Sequence, residues 1–134
     1  MVIDTSALIE IFIDGPDAKR VKSAMRSARG NRFMSAATLV ECHIVVRRRF
    51  GEAAERSRNL LDRMIQRYGV AIEALQEGHA KLAVEAYYKF GKGAGAGLLN
   101  FGDCFSYALA KHRDDSLLFV GNDFSRTDVK VAKP

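Results

Sequence analysis

Short apolar runs alternate along this chain with longer segments of helical periodicity. The opening Val2-Ile3-Asp4 is a brief apolar run ended by an acid; Thr5-Ser6 and the helical ALIEIF follow, predicting strand, turn and helix. Asp14-Gly15-Pro16 predicts a turn, with Pro16 in the first turn of a helix that continues to about Arg29 and stops at Gly30. Arg32-Phe33-Met34 is a candidate second strand. Apolar positions at helical spacing then run through SAATLVECHIVVRRRF to Gly51, with Glu41 expected in the first turn of that helix. A further helix is predicted from about Glu52 to Tyr68, closed by Gly69, then a third strand at Val70-Ala71-Ile72 and a helix from Gln76 to Phe90.

GKGAGAG, from Gly91 to Gly97, is too glycine-rich to hold a helix and predicts a mobile loop that delivers the chain to Leu98-Leu99-Asn100-Phe101-Gly102-Asp103. CFSYALAKH resumes a helix. Leu117-Leu118-Phe119-Val120 is the strongest strand signal, ended by Gly121-Asn122-Asp123, and Val129-Lys130-Val131 predicts a last edge strand. Strands separated by helices, with no hairpin signal between them, imply parallel pairing and a three-layer α/β architecture. Neither a repeat nor a linker divides residues 1–134, so a single domain is expected.

Composition changes this picture little. With 48% hydrophobic and 28% charged residues, the chain has ordinary globular proportions. No stretch approaches the ~20 apolar residues of a membrane span, and no signal-peptide pattern opens the sequence, so a cytoplasmic protein is expected. Cys42 and Cys104 form neither a disulfide framework nor a CxxC site and read as small buried thiols. Lysine plus arginine exceed aspartate plus glutamate by 21 to 16, a net charge of +5 that favours a polyanionic partner.

Against that basic background, the acids at element ends look placed. Asp4 and Asp123 end apolar strands, where open α/β sheets bind ligands, and an acid ending a buried strand costs desolvation unless a cation or donors compensate. Glu41 and Asp103 each have a structural alternative: Thr38-Leu39-Val40-Glu41 matches a capping box, and Asn100-Phe101-Gly102-Asp103 resembles one. Asp123, Asp128 and Asp14 also read as ordinary turn or loop acids. Independent caps need not converge, whereas these segments all map to one sheet edge. Carboxylates gathered there repel one another unless a divalent cation neutralises them, and an all-oxygen donor set suits magnesium or manganese rather than zinc. Such an ion lowers the pKa of water and stabilises phosphoryl charge, as phosphodiester hydrolysis requires. The scattered His43, His79 and His112 suit surface or packing roles and argue against histidine-based chemistry. Absence of GxxxxGK[ST] and of a strand-linked GxGxxG removes P-loop and dinucleotide sites.

VIDTSAL, SAATLVE, LNFGDCFSYALAK and LLFVGNDFSRTDV, in this order and spacing, make the chain resemble end to end the PIN-domain ribonucleases, and within them the VapC toxins. The resemblance implies a PIN-like α/β/α domain with a short central parallel sheet. It assigns Asp4, Glu41 and Asp103 to the three metal-site acids, with Asp4 and Asp103 as metal ligands, and Asp123 to the more variable fourth, for which Asp128 is a second candidate. Thr5 or Ser6 matches the position that hydrogen-bonds the metal shell, and Asn122 a residue that positions substrate or water. A homodimer, a VapB-type antitoxin and cleavage of transfer or ribosomal RNA are further implications. Arg47, Arg48 and Arg49, with Lys89 and Lys92 beside the glycine loop, are candidates for the RNA backbone, although arginines at a helix C-terminus also meet the dipole favourably. Ile9, Phe12 and Ile13 are candidates for a dimer or antitoxin groove or for core packing. The rival reading is a non-catalytic RNA- or protein-binding module whose acids are only caps or docking points.

Overall fold

A computed structural model describes residues 1–51 and 54–132. In chain order the elements are β1 (Val2–Ile3), α1 (Thr5–Phe12), α2 (Ala18–Ser27), β2 (Arg32–Ser35), α3 (Ala36–Phe50), α4 (Ala54–Arg67), β3 (Val70–Glu73), α5 (Glu77–Phe90), α6 (Phe101–His112) and β4 (Leu117–Leu118). The four strands form one sheet in the order β3-β2-β1-β4. Every pairing is parallel, with Val2 opposite Phe33 and Leu117, and Ser35 opposite Glu73.

Consecutive strand residues face opposite sides of a sheet, and that alternation builds the layers here. Val2 and Leu117 enter an apolar cluster with Phe90 of α5, Tyr107 and Leu109 of α6, and Leu99 between the two helices. Ile3, Leu118 and Met34 enter a second cluster with Leu8, Val21, Val46 and Leu61 from α1 to α4. The sheet is therefore the middle of three layers. Removing each such aliphatic side chain from water stabilises the fold by roughly 1.5–3 kcal/mol.

Several boundaries differ from expectation. Pro16 precedes α2, which starts at Ala18 and ends at Ser27, short of Arg29. β4 stops at Leu118, and residues 129–131 contribute one isolated parallel bridge, Leu117 with Val131, instead of a strand. The expected start of α4 at Glu52 lies outside the described residues. The glycine segment makes backbone bonds to its flanks and within itself: Lys92 N donates to Leu99 O, Gly97 N to Gly91 O and Ala96 N to Lys89 O. Cys42 and Cys104 are buried free thiols. Among the described residues, no helix is long and apolar enough to cross a membrane.

Candidate active site

β1 ends where Asp4 emerges at the C-terminal edge of the sheet, and Asp4 itself is the N-cap of α1. Asp4 Oδ2 accepts from Ser6 N at 2.9 Å and from Ser6 Oγ at 2.6 Å. The same Ser6 Oγ accepts from Val120 N at 3.0 Å, tying the exit of β4 to the start of α1. Asp4 is 2% exposed, and its Oδ1 is buried without any hydrogen-bond partner. Capping thus accounts for one oxygen of Asp4 and leaves the other orphaned.

α3 is capped by Ser35, whose Oγ accepts from Ala37 N at 3.2 Å. Glu41 consequently falls in the second turn, and the capping box expected for Thr38 and Glu41 is absent, because β2 runs on to Ser35 and the helix starts one turn earlier. Freed of capping, the Glu41 side chain reaches across to α1 and α6. Thr5 Oγ1 donates to Glu41 Oε2 at 2.6 Å, and Cys42 Sγ in turn approaches Thr5 Oγ1 at 3.7 Å. Glu41 also rests against Gly102: a Cβ at that position would stand 2.1 Å from Glu41 Oε1.

Asp103 occupies the first turn of α6, where the capping box read from the sequence does form. Asn100 Oδ1 accepts from Asp103 N at 2.9 Å, and Asp103 Oδ2 accepts from Asn100 N at 2.7 Å. Burial pushes the Asp103 carboxyl up to about 7; the Asn100 amide opposes this, and the charges of Asp4, Asp123 and Glu41 add to it. Glu41 is raised as well, by burial first, against the Thr5 hydrogen bond, with the Asp4 charge contributing. Asp4, Glu41 and Asp123 therefore all lie within electrostatic reach of Asp103. Among the described residues, no three His, Cys, Asp or Glu side chains stand as a ready-made ligand group; Oδ2 of Asp4, Oδ2 of Asp103 and Oε2 of Glu41 are each turned to a local donor.

Asp123 is partly exposed and pairs with Lys92 Nζ at 3.3 Å. Asp128 is held elsewhere, accepting from Tyr107 Oη at 2.6 Å and pairing with Lys111 and Lys89. Asn122 is exposed, and its carbonyl forms the turn at Ser125. Arg47, Arg48 and Arg49 are exposed beyond Glu41 on α3, and Arg47 Nη1 donates to Gly51 O at 2.6 Å. No sequence motif marks Gly102 or Cys42 as part of the site. Glycine in a helix's first turn beside an acid, where propensity disfavours it, was the one signal for a close approach.

Three layers around a short parallel sheet, with acids at its C-terminal edge, describe the PIN-domain class, and the PIN domain matches residues 1–130. Ribonuclease VapC30 of Mycobacterium tuberculosis is 44% identical over 135 residues, covering 100% of both chains. Ribonuclease VapC of Mycolicibacterium smegmatis is 46% identical over 129 residues, covering 96% of this chain and 97% of its own. Among solved structures, VapC20 of Mycobacterium tuberculosis, described as a sarcin-ricin loop cleaving toxin, has a TM-score of 0.78 at 18% identity and covers 99% of this chain and 98% of its own. VapBC2 of Rickettsia felis, bound to a DNA fragment from its promoter, has a TM-score of 0.74 at 13% identity, covering 97% and 94%. The chain belongs to the VapC ribonucleases of the PIN-domain family.

Proposed function

We propose that this VapC ribonuclease is a toxin that hydrolyses RNA phosphodiester bonds using a divalent cation, magnesium or manganese, at Asp4, Glu41, Asp103 and Asp123. The observation that carries this reading is the buried, unpartnered Oδ1 of Asp4 beside two carboxyls of raised pKa. An acceptor left unsatisfied in the interior is costly, and a hard cation is the partner an oxygen-only set suits. Asp4 and Asp103 would hold it, with Glu41 and Asp123 completing the negative charge. Bound there, such a cation supplies charge compensation for the phosphoryl oxygens and a lowered pKa for water.

The remaining roles fall to the chain's own groups. Glu41 is aimed by Thr5 through Oε2, which leaves Oε1 to take up the proton released as water attacks. Ser6 fixes Asp4 and, through Val120 N, the segment leading to Asp123. Asn122, exposed next to Asp123, positions substrate or water. Transfer or ribosomal RNA is the substrate class, a VapB-type antitoxin the regulating partner, a homodimer the assembly and the cytoplasm the setting. A purely capping role for the acids is supported by the bonds at Asp4 Oδ2 and Asp103 Oδ2. It gives no reason for the orphaned Oδ1.

Cleavage of a labelled RNA tests the proposal. Hydrolysis should require magnesium or manganese, stop in EDTA, and fall by at least about 100-fold in Asp4→Asn while the fold survives. Equal cleavage by parent and variant at matched purity contradicts it.

A further inference from the structure

Two contacts fix how α3 passes α6. Thr38 Oγ1 lies 3.1 Å from Ser106 Oγ, and Glu41 meets Gly102 one turn on, so the helices run antiparallel. α3 therefore climbs past the first turn of α6, which carries Asp103, and continues nine residues beyond Glu41 to Phe50, about 14 Å at the helical rise. α4 then returns the chain to β3. Between Arg47 and Arg67, seven arginines stand against three acids, Glu52, Glu55 and Asp62. This hairpin thus carries a net +4 in a chain whose total is +5.

Among the described residues, none of these seven arginines joins an ion pair, although Lys22, Lys81, Lys89, Lys92, Lys111 and Lys130 all do. Lys89 and Lys92, the cations beside the glycine loop, are committed to Asp128 and Asp123. A polyanion approaching a cluster of four acids meets repulsion that some other surface must offset, and the hairpin, which continues from Glu41, gathers seven cations outside any ion pair among the described residues. Arginine's planar fork suits phosphate oxygens better than a lysine point charge.

We propose that the α3–α4 hairpin is the docking surface for the phosphate backbone of RNA, with exposed Arg48, Arg58 and Arg63 among its contacts. The inference rests on the nuclease reading above. It adds a second, sequence-independent contact region that holds a folded RNA while one of its phosphates reaches the acids.

Binding of a fluorescent RNA stem-loop to the full chain, measured by anisotropy in EDTA so that no cleavage intervenes, tests it. Arg48, Arg58 and Arg63 changed together to Gln should weaken binding by about 30-fold and reduce the slope of log K against log salt by about 2. Lys81, Lys111 and Lys130 changed to Gln remove the same charge elsewhere and should cost less than about 3-fold. Similar losses in the two triple variants, or no loss in the first, overturn the proposal. So does an arginine variant that keeps its RNA affinity but no longer binds the antitoxin, which would assign the arginines to a protein partner. Binding without magnesium-dependent cleavage in the parent would instead contradict the nuclease reading and leave the docking surface standing.

Discussion

Asp4 commits Oδ2 to capping α1 and leaves Oδ1 free in the interior, the oxygen proposed to meet a cation. Gly102 is the complementary device, since its missing side chain is the space that Glu41 occupies. Gly102→Ala should displace the Glu41 carboxylate and lower RNA cleavage by at least about 10-fold, with at most a modest loss of melting temperature, read by single-turnover assays beside thermal denaturation. Asp103 gives a pH signature. Its folded pKa of about 7 lies above the ordinary 3.8, so between those values the unfolded chain releases its proton first and stability declines as pH rises, levelling off above about 7. Glu41 acts in the same direction. The exposed Asp14, Asp114 and Asp128 are shifted down and act with opposite sign only near and below pH 4. Metal-free protein should therefore melt a few degrees lower at pH 8 than at pH 5, checked by calorimetry in EDTA. Asp4 was legible as a buried strand-end acid. The Thr5 to Glu41 bond was not, because no local spacing pairs residues thirty-six positions apart.

At the scale of elements, the hydroxyls of Thr38 and Ser106 form a buried bridge one turn from Glu41 on α3 and one turn from Asp103 on α6. Ser106→Ala leaves the Thr38 hydroxyl unpaired in the interior and should cost about 1–3 kcal/mol in urea denaturation. The double variant Thr38→Val, Ser106→Ala removes both polar groups and should cost less than the sum of the single changes. Periodicity located α3, α5 and α6 well, because each buries positions at helical spacing, Thr38, Cys42 and Val46 on α3 and His79, Ala83, Ala86 and Phe90 on α5. Glu41 falls in the second turn of α3 rather than the first because Ser35, paired with Glu73 across the sheet, ends β2 and caps the helix. The glycine loop read as mobile because its composition carries no hint of bonds back to Phe90 and Lys89.

For the whole molecule, parallel pairing and the three layers followed from alternating strands and helices, whereas the order β3-β2-β1-β4 depends on packing between residues far apart in sequence. The basic excess between Arg47 and Arg67 is already contiguous in the sequence; folding adds its position, on two packed helices that continue from Glu41. The choice between Asp123 and Asp128 likewise belongs to tertiary structure, since Tyr107, Lys111 and Lys89 hold Asp128 away from the acids. Asp123→Asn should lower cleavage by about 10-fold or more, and Asp128→Asn should leave it within about 3-fold, measured under one set of magnesium conditions.

A melting curve with and without manganese tests most directly whether the four acids form one cation site. Binding to the native state alone raises the melting temperature, so the parent should gain several degrees at about 10 mM Mn²⁺, while Asp4→Asn should gain little. An unchanged parent, or an equal gain in Asp4→Asn, would contradict the account.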